Sequence, residues 1–360
     1  MTKGSTDTTP ITVLAPGVGG NVSQGILKAL ARSTLSCRVI GADISALQMG
    51  LYTTDVGYIS PWAHDPAFVD WLVALCNRER VDIILTGCEP VISTLARHRE
   101  YIESETDAVC LVNNEAVMDI CDDKLRTCDW LKAQGFAYPD YAAAENIDAV
   151  RCLADRCGFP LLAKLRGGGG AQGMLIINDI RDIAYIARKP GYVAQEYLGE
   201  DDAEYTVGCF CDRNGKLLGS IVLWRALLQG TTYRAVAGEY PDVRHEAERI
   251  AAALGPIGPC NIQLRMTERG PICFEINPRF SGAAPIRAHF GFNEVDAALR
   301  HFVLGEPAPA LPNVVSGIAL RYWNELYIPP EAVHALESNG RINNAAPGSA
   351  RIDNYGIRES

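Results

Sequence analysis

The chain has 360 residues, of which 48% are hydrophobic and 21% are charged, and its formal net charge is −10. This composition is typical of a folded globular protein, and the length predicts two or three packed units. Nucleic acids and anionic membranes bind clustered Lys and Arg, so an acidic chain without a basic stripe argues against both kinds of partner.

The first third of the chain alternates short apolar runs with amphipathic ones. Strands are predicted at 11–15, 37–42, 81–86 and 108–112, with helices from about 21 to 31 and from 68 to 78. This alternation predicts a parallel sheet with helices on its faces. We place the resulting Rossmann-like α/β domain at residues 8–113.

After residue 114 the pattern predicts an α+β region rich in hairpins. Residues 115–134 are largely helical in pattern, and further elements are predicted at 160–164, 174–177, 192–198, 204–212, 216–223, 242–254, 261–266 and 271–276. We place a small hairpin subdomain at 114–194 and a second subdomain at 195–310. A C-terminal extension, 311–360, follows a Pro-rich stretch.

The N-terminal segment is polar and predicts no secretory signal, and no apolar run reaches the roughly 20 residues of a membrane helix. The twelve cysteines include no Cys-x-x-Cys pair, so neither a zinc site nor a redox dithiol is predicted. Cys209 and Cys211 lie two apart on a predicted strand, where we expect them to pack as small hydrophobes. We expect a reduced, cytoplasmic protein.

A first glycine loop, Pro-Gly-Val-Gly-Gly at 16–20, follows the first strand and opens a helix. This is the context in which a dinucleotide pyrophosphate binds a helix N-terminus, and Asp43 ends the second strand where an acid would bind the ribose. Val22, however, takes the place of the third small residue, and a partial fingerprint is weak. An NAD-dependent oxidoreductase is therefore kept only as an alternative.

A second glycine run follows Lys164, in the order Lys-Leu-Arg-Gly-Gly-Gly-Gly-Ala-Gln-Gly. Glycines allow backbone N–H groups to approach phosphate oxygens, and the lysine supplies a point charge. No Gly-Lys-Ser or Gly-Lys-Thr closes the run, so it is not a Walker loop. The alternative is a flexible surface hairpin.

A predicted strand pair carries a candidate metal site. Glu275 and Asn277 lie two apart and share one face of a strand, and Gln263 on the neighbouring strand can join them. Oxygen ligands of this kind suit Mg²⁺, and Arg279 falls on the same side, where it can neutralise a phosphoryl group. The alternative is a polar hairpin face in solvent.

With these segments in order, the chain resembles the ATP-grasp superfamily over about residues 10–305. The glycine run looks like that of biotin carboxylase, and the set Gln263, Glu275 and Asn277 looks like the metal ligands of the carbamoyl phosphate synthetase large subunit. The resemblance implies two α+β subdomains that hold ATP between them, behind a Rossmann-like pre-ATP-grasp domain.

The resemblance also implies roles for particular residues. Lys124 and Lys164 would contact the phosphates, and Lys164 and Arg279 would act in catalysis. Glu204 would bind the ribose, and two Mg²⁺ ions, with Mn²⁺ as a substitute, would be held by Gln263, Glu275 and Asn277. The closing loop would contain Gly167, Gly168, Gly169, Gly170 and Gly173, and the adenine linker would be Glu196, Tyr197 and Leu198.

The implied reaction is ADP-forming carboxylate–amine ligation through an acyl phosphate, on an amino acid or another small acid. Candidate substrate contacts are Arg225, Arg234, Ser281, Arg287 and Glu89. Each arginine can equally be a surface ion pair, and Glu89 can equally cap a helix. A non-catalytic ATP-binding regulatory module is the second reading, and a homodimer is an expectation at the family level.

Overall fold

The computed structural model describes residues 9–168, 173–199, 203–307 and 315–344, and the backbone of 351 and 352. The strands are β1 (Ile11–Pro16), β2 (Cys37–Asp43), β3 (Val56–Ile59), β4 (Ile83–Ile84), β5 (Val109–Cys110), β6 (Tyr141–Ala143), β7 (Leu161–Leu165), β8 (Leu175–Ile177), β9 (Tyr192–Glu196), β10 (Glu204–Cys211), β11 (Leu217–Leu228), β12 (Thr231–Ala237), β13 (Gly258–Thr267), β14 (Gly270–Asn277), β15 (Gly317–Leu320), β16 (Leu326–Tyr327), β17 (Arg341–Asn343) and β18 (Arg351–Ile352). The helices are α1 (Asn21–Leu30), α2 (Phe68–Glu79), α3 (Glu89–Glu105), α4 (Glu115–Cys121), α5 (Lys124–Ala133), α6 (Ile147–Cys157), α7 (Ile180–Ile186), α8 (Pro241–Leu254), α9 (Ala284–His289), α10 (Glu294–Ala298) and α11 (Pro330–Asn339).

The first sheet has the strand order β17-β3-β2-β1-β4-β5, with β1 to β5 parallel and β17 antiparallel at the edge. Neighbouring residues on β1 face opposite sides. Val13 packs with α1, and Leu14 packs with α2 and α3. The order of strands reverses between β1 and β4, and the helices that follow these two strands lie on opposite faces. The predicted parallel α/β domain is confirmed.

A small antiparallel sheet, β6-β9-β7-β8, forms the hairpin subdomain together with α6 and α7. Alternation along β7 places Leu161 and Ala163 in its core, while Leu162 and Lys164 face the other way. The predicted long helix at 115–134 is two helices, because Asp123 accepts N–H bonds from Leu125 and Arg126 and begins α5 as its cap.

The large antiparallel sheet has the order β14-β13-β10-β11-β12-β15. One face packs on α8 through apolar residues such as Val207, Val222 and Ile262. Cys209 and Cys211 are both 0% exposed, so the prediction that they pack as hydrophobes is confirmed. The other face carries polar side chains on β10, β13 and β14 toward the small sheet, and this space is called the cleft.

The C-terminal segment returns to both earlier sheets. Strand β15 extends the large sheet beside β12, and β17 extends the first sheet beside β3. None of the helices in the part of the chain that the structure describes combines the length and apolarity needed to cross a membrane.

Candidate active site

Three polar side chains form one connected group on the cleft face of β13 and β14. Their register sets Gln263 opposite Glu275 and Asn261 opposite Asn277. The Glu275 Oε1 atom accepts hydrogen bonds from Gln263 Nε2 at 3.2 Å and from Asn277 Nδ2 at 2.8 Å. The three residues in which the sequence predicted a metal site therefore lie side by side, with Glu275 at the centre.

An irregularity in β14 brings a further residue to the cleft. The register shifts between Gln263 and Leu264, so Phe274 is an extra residue on β14. Bulges of this kind re-aim side chains beside functional sites. The Nζ atom of Lys164 lies 5.2 Å from the centre of the Phe274 ring, so it projects from the small sheet onto the large one.

The position of Lys164 changes its acid–base behaviour. Burial of the ammonium lowers the pKa of Lys164, and the nearby Glu275 carboxylate acts in the opposite direction. A partly desolvated cation facing an acidic group is suited to an anion such as a phosphate.

Arg279 extends the polar group to the first domain. Its Nη2 atom donates to Asn277 Oδ1 at 3.0 Å and to Glu89 Oε1 at 3.0 Å. Glu89 is the first residue of α3, which follows β4 at the carboxyl edge of the first sheet. The candidate metal strands and this edge therefore enclose one crevice.

Glu204 is held between two arginines. Its Oε1 atom accepts from Arg225 Nη2 at 2.6 Å, and its Oε2 atom accepts from Arg265 Nη2 at 2.7 Å. Arg225 Nη2 also donates to Gln263 Oε1 at 2.7 Å. Glu204 and Arg225 are 6% and 7% exposed, so this buried network fixes the geometry of Gln263.

The base of the glycine hairpin is tied to α5. Lys124 Nζ donates to the Gly168 carbonyl at 2.7 Å, and the Lys124 backbone N–H donates to the Arg166 carbonyl at 2.9 Å. The Arg166 guanidinium forms an ion pair with Asp123 at 2.6 Å. Of the predicted closing loop, Gly167, Gly168 and Gly173 are described, and Gly169 and Gly170 lie outside the described residues.

The predicted adenine linker begins at the end of β9. The Glu196 carboxylate accepts from Arg269 Nη2 at 2.6 Å, which turns this side chain toward β13 and β14. Tyr197 and Leu198 follow the strand, and Tyr197 is 36% exposed.

Sequence reasoning gave no role to Gln195, which is 0% exposed. Its Nε2 atom donates to Cys128 Sγ at 3.2 Å, while its Oε1 atom is buried without a hydrogen-bond partner among the described residues. An unsatisfied buried acceptor beside a cleft is a feature that a ligand can satisfy. The available signal was a polar residue inside the apolar run of β9.

Asp122 was missed as well. Burial and the Glu89 carboxylate raise the pKa of Asp122 to about 6, against the opposing charges of Arg279 and Lys124. The sequence analysis assigned no role to Asp122, and only the fold brings it near Glu89.

Two substrate candidates are corrected by the structure. Arg234 lies opposite Ala226, whereas Arg225 lies opposite Ala235, so the two arginines point to opposite faces of the large sheet. Arg287 is 1% exposed and pairs with Glu294 at 3.1 Å inside the core, which leaves it no surface for a substrate. Ser281 is 6% exposed and accepts the Ala283 N–H at 3.2 Å.

One group of potential metal ligands lies away from the cleft strands, at Asp140, Cys157 and Glu196. Glu196 is already paired with Arg269, and Arg156 lies 3.6 Å from Asp140. Burial and the two carboxylates raise the pKa of the Cys157 thiol to about 11. Because Arg269 and Arg156 already balance the two carboxylates, this group is not a candidate centre.

Side chains of the first domain already form hydrogen bonds with the first glycine loop. The Gly19 N–H donates to Asp43 Oδ2 at 2.8 Å, and the Ile44 N–H donates to Asp43 Oδ1 at 2.8 Å. Asp43 is 8% exposed. The acid that would bind the ribose of a dinucleotide therefore caps the loop, and the arrangement gives the NAD alternative no support.

Two family profiles match the chain, and both agree with this architecture. Residues 188–326 match a family described as ATP-grasp in the biosynthetic pathway with Ter operon. This match covers less than half of the chain, and over these residues the chain is similar to the ATP-grasp family. Residues 11–109 match the PylC-like N-terminal domain, and this range contains strands β1 to β4.

The chain is also similar to carbamoyl phosphate synthase large chains. The one from Helicobacter pylori is 23% identical over 287 residues, which are 74% of this chain and 26% of that relative. The chain therefore spans about a quarter of the length of this relative, and the relative's whole activity does not transfer with the match.

Solved structures agree on the fold. N5-carboxyaminoimidazole synthetase from Staphylococcus aureus, complexed with ADP, superposes with a TM-score of 0.67 at 16% identity, covering 92% of this chain and 86% of that one. The biotin carboxylase domain of Hydrogenobacter thermophilus 2-oxoglutarate carboxylase, a dimer complexed with MgADP, gives 0.64 at 16% identity, covering 83% and 70%. The predicted ATP-grasp fold, with its Rossmann-like first domain, is confirmed.

Proposed function

We propose that this protein is an ATP- and Mg²⁺-dependent ligase that activates a carboxylate as an acyl phosphate and joins it to an amine. The observation that carries the proposal is the facing of Lys164 on the small sheet with Gln263, Glu275, Asn277 and Arg279 on the large one. A metal–triphosphate complex requires cations beside its phosphates and oxygen ligands beside its metal ions, and the two sides of the cleft offer these groups.

The donor set fits Mg²⁺. Gln263, Glu275 and Asn277 offer amide and carboxylate oxygens on one sheet face, and hard oxygen ligands are those that Mg²⁺ prefers. These residues would hold two ions, with Mn²⁺ as a substitute, and the ions would supply neutralisation of the triphosphate charge. The amide oxygens of Gln263 and Asn277 accept from Arg225 and Arg279, and their amide nitrogens donate to Glu275. Each amide would therefore turn its oxygen toward a bound ion.

The chain's own cations act on the phosphates. Lys164 faces Glu275 across the cleft, and Lys124 holds the base of the glycine hairpin at Gly168. Backbone N–H groups of the hairpin would bind phosphate oxygens, and Glu196 to Leu198 would meet the adenine, with Glu204 on the ribose. Gln195 Oε1 is a further acceptor on the same side.

In the proposed reaction a carboxylate oxygen attacks the γ-phosphorus, the bond to the bridging oxygen breaks, and ADP leaves. The amine nitrogen then attacks the acyl carbon, phosphate leaves, and the nitrogen loses a proton. Arg279 lies between Asn277 and Glu89, where it can stabilise the charge on the transferring group. Closure of the hairpin would keep water from the acyl phosphate.

The test measures ADP and phosphate release from Mg-ATP with a panel of amino-acid pairs, each carboxylate labelled with heavy oxygen. A true pair yields a new amide mass, and one heavy oxygen appears in the released phosphate because the acyl phosphate passes it on. We expect Glu275→Gln to lower this rate by at least about 100-fold, since it removes the central carboxylate.

The matched control is Glu248→Gln. Glu248 binds Ser220 at 2.6 Å on the α8 side of the same sheet, so its loss should leave the rate within about twofold. Mg-ATP binding without release for any pair would favour the alternative of a regulatory nucleotide module. Heavy oxygen absent from the phosphate while amide forms would exclude the acyl phosphate.

A further inference from the structure

The crevice at the carboxyl edge of the first sheet contains a second arginine from the other domain, Arg321. In open parallel sheets, ligands bind outside the carboxyl ends of the strands where the strand order reverses. That reversal lies between β1 and β4 here. Arg279 reaches the helix that follows β4, and Arg321 reaches α1, which follows β1.

Arg321 links the metal strands to α1. Its Nη2 atom donates to the Gly282 carbonyl at 2.6 Å, and its Nη1 atom donates to Asn21 Oδ1 at 3.3 Å. Gly282 lies in the turn that follows Arg279, and a Cβ placed on it would be 2.4 Å from Asn21 Nδ2. The guanidinium therefore sits where this turn and the first residue of α1 meet.

The charge of Arg321 is not balanced locally. Among the residues that the structure describes, neither Arg321 nor Lys28 forms an ion pair. Asn21, Gly25 and Lys28 share one face of α1, at i, i+4 and i+7, and Gly25 packs on the turn at Ser281. Burial lowers the pKa of Arg321, and burial and Arg321 together lower the pKa of Lys28.

The other arginines around the cleft each have a carboxylate. Arg225 and Arg265 pair with Glu204, Arg279 pairs with Glu89, and Arg287 pairs with Glu294. Within the described ranges, the hydrogen-bond partners of Arg321 are an amide oxygen and a carbonyl oxygen. A partly buried cation without a counter-charge is unfavourable, and an anionic ligand would remove that cost.

We propose that Arg321, with Lys28, binds an anionic group, a carboxylate or a phosphate, of the substrate that enters at the first sheet. A guanidinium has five donors, and two contacts leave donors that fit a planar or tetrahedral anion. The identity of the anion as a substrate group rests on the proposed function, whereas anion binding itself does not.

The experiment uses inorganic phosphate and acetate as probes, without nucleotide, at constant ionic strength. The rise in melting temperature is followed against probe concentration in the full chain and in Arg321→Gln. We expect phosphate or acetate to raise the melting temperature of the wild-type chain. The apparent Kd of the probe should be about tenfold higher in Arg321→Gln than in wild type. Saturation with phosphate alone identifies a phosphoryl group, and saturation with acetate identifies a carboxylate.

Three further variants keep the result interpretable. Arg234→Gln removes an exposed arginine opposite Leu320 and should retain the full effect. Lys28→Gln, on the same face of α1 as Asn21, should weaken probe binding in the same direction, which covers the case in which Arg321→Gln does not fold. Lys164→Met should still be stabilised by phosphate or acetate, while its affinity for Mg-ATP falls. A failure of the proposed nucleotide site can therefore be distinguished from a failure of the anion site.

Equal stabilisation of wild type and Arg321→Gln would overturn the proposal. So would no stabilisation by either probe, or an effect lost in Lys164→Met and kept in Arg321→Gln, since the anion would then bind in the nucleotide cleft.

Discussion

The chain has two glycine-rich turns after strands, and their surroundings are opposite. Gly17 has φ +70°, and a Cβ placed on it would be 2.5 Å from Cys88 Cβ. A Cβ on Gly19 would be 2.1 Å from Gln48 Oε1. Gly168 has φ +82°, yet a Cβ there would meet nothing within 4 Å.

The difference separates two uses of glycine. In the first loop the neighbouring side chains approach the backbone, and the Gly19 N–H is taken by Asp43, so glycine serves packing. In the second run the space beside Gly168 is open, so glycine leaves the backbone accessible to a ligand. Glycine after a strand thus has a structural role in the first loop and, by our proposal, a binding role in the second run.

The largest expected effect is on the first loop. Gly17→Ala adds a strained φ and a contact with Cys88, and we expect it to lower the free energy of unfolding by about 3 kcal/mol. Gly168→Ala introduces backbone strain but no close contact, so it should lower the free energy of unfolding by about 1 kcal/mol. Urea unfolding of both variants measures the difference.

Removal of the contacting atom serves as the control. Cys88→Gly should recover part of the loss in Gly17→Ala, whereas Cys88→Ala keeps the Cβ at 2.5 Å, removes only the Sγ at 3.1 Å, and should recover less. Equal destabilisation by Gly17→Ala and Gly168→Ala would mean that the two loops are packed alike.

Nucleotide affinity should reverse the ranking. We expect Gly168→Ala to weaken Mg-ATP by about tenfold, because a side chain in the accessible turn alters the backbone that meets the phosphates. Gly17→Ala should leave the affinity of the folded fraction within about twofold. Titration with a fluorescent ATP analogue, below the melting temperature of each variant, measures both. A tenfold loss in Gly17→Ala alone would assign the nucleotide to the first loop.

The metal strands were predictable because a two-residue period and a hairpin register suffice to place Glu275, Asn277 and Gln263 together. The positions of Arg234 and Arg287 were not, because each depends on which sheet face or core the residue meets. Arg234 and Ala235 are consecutive on β12, and this single step places the Arg234 side chain on the face opposite to Arg225.

Contacts between distant segments left no local signal. Arg321 meets Asn21 across 300 positions of sequence, and β17 joins a sheet that begins near residue 11. A hydrophobic period or a motif predicts which residues are neighbours within one element. Neither of these two long-range pairings was therefore predicted, and residues 311–360 were interpreted as a separate extension.

The smallest expected effect concerns the base of the second run, where Asp123 pairs with Arg166. Burial raises the pKa of Asp123, but hydrogen bonds from Arg166 and from the Leu125 N–H outweigh it, and the net pKa is lowered. A lowered carboxyl pKa contributes stability that is present above the unfolded value near 3.9 and is lost as the pH falls below it. The Asp123→Asn variant keeps the helix cap and removes only the charge.

At pH 7 we expect the free energy of unfolding of Asp123→Asn to be lower than that of wild type by less than about 1 kcal/mol, because the ion pair is partly exposed. Thermal melts at each pH measure this difference. The difference should shrink as the pH falls below about 4, because the carboxyl becomes protonated in both states. Asp119→Asn, whose carboxylate is 71% exposed in its pair with Arg126, is the matched control and should show no such change. A difference for Asp123→Asn that does not decrease at all below pH 4 would mean that the charge of Asp123 does not stabilise the base of the second run.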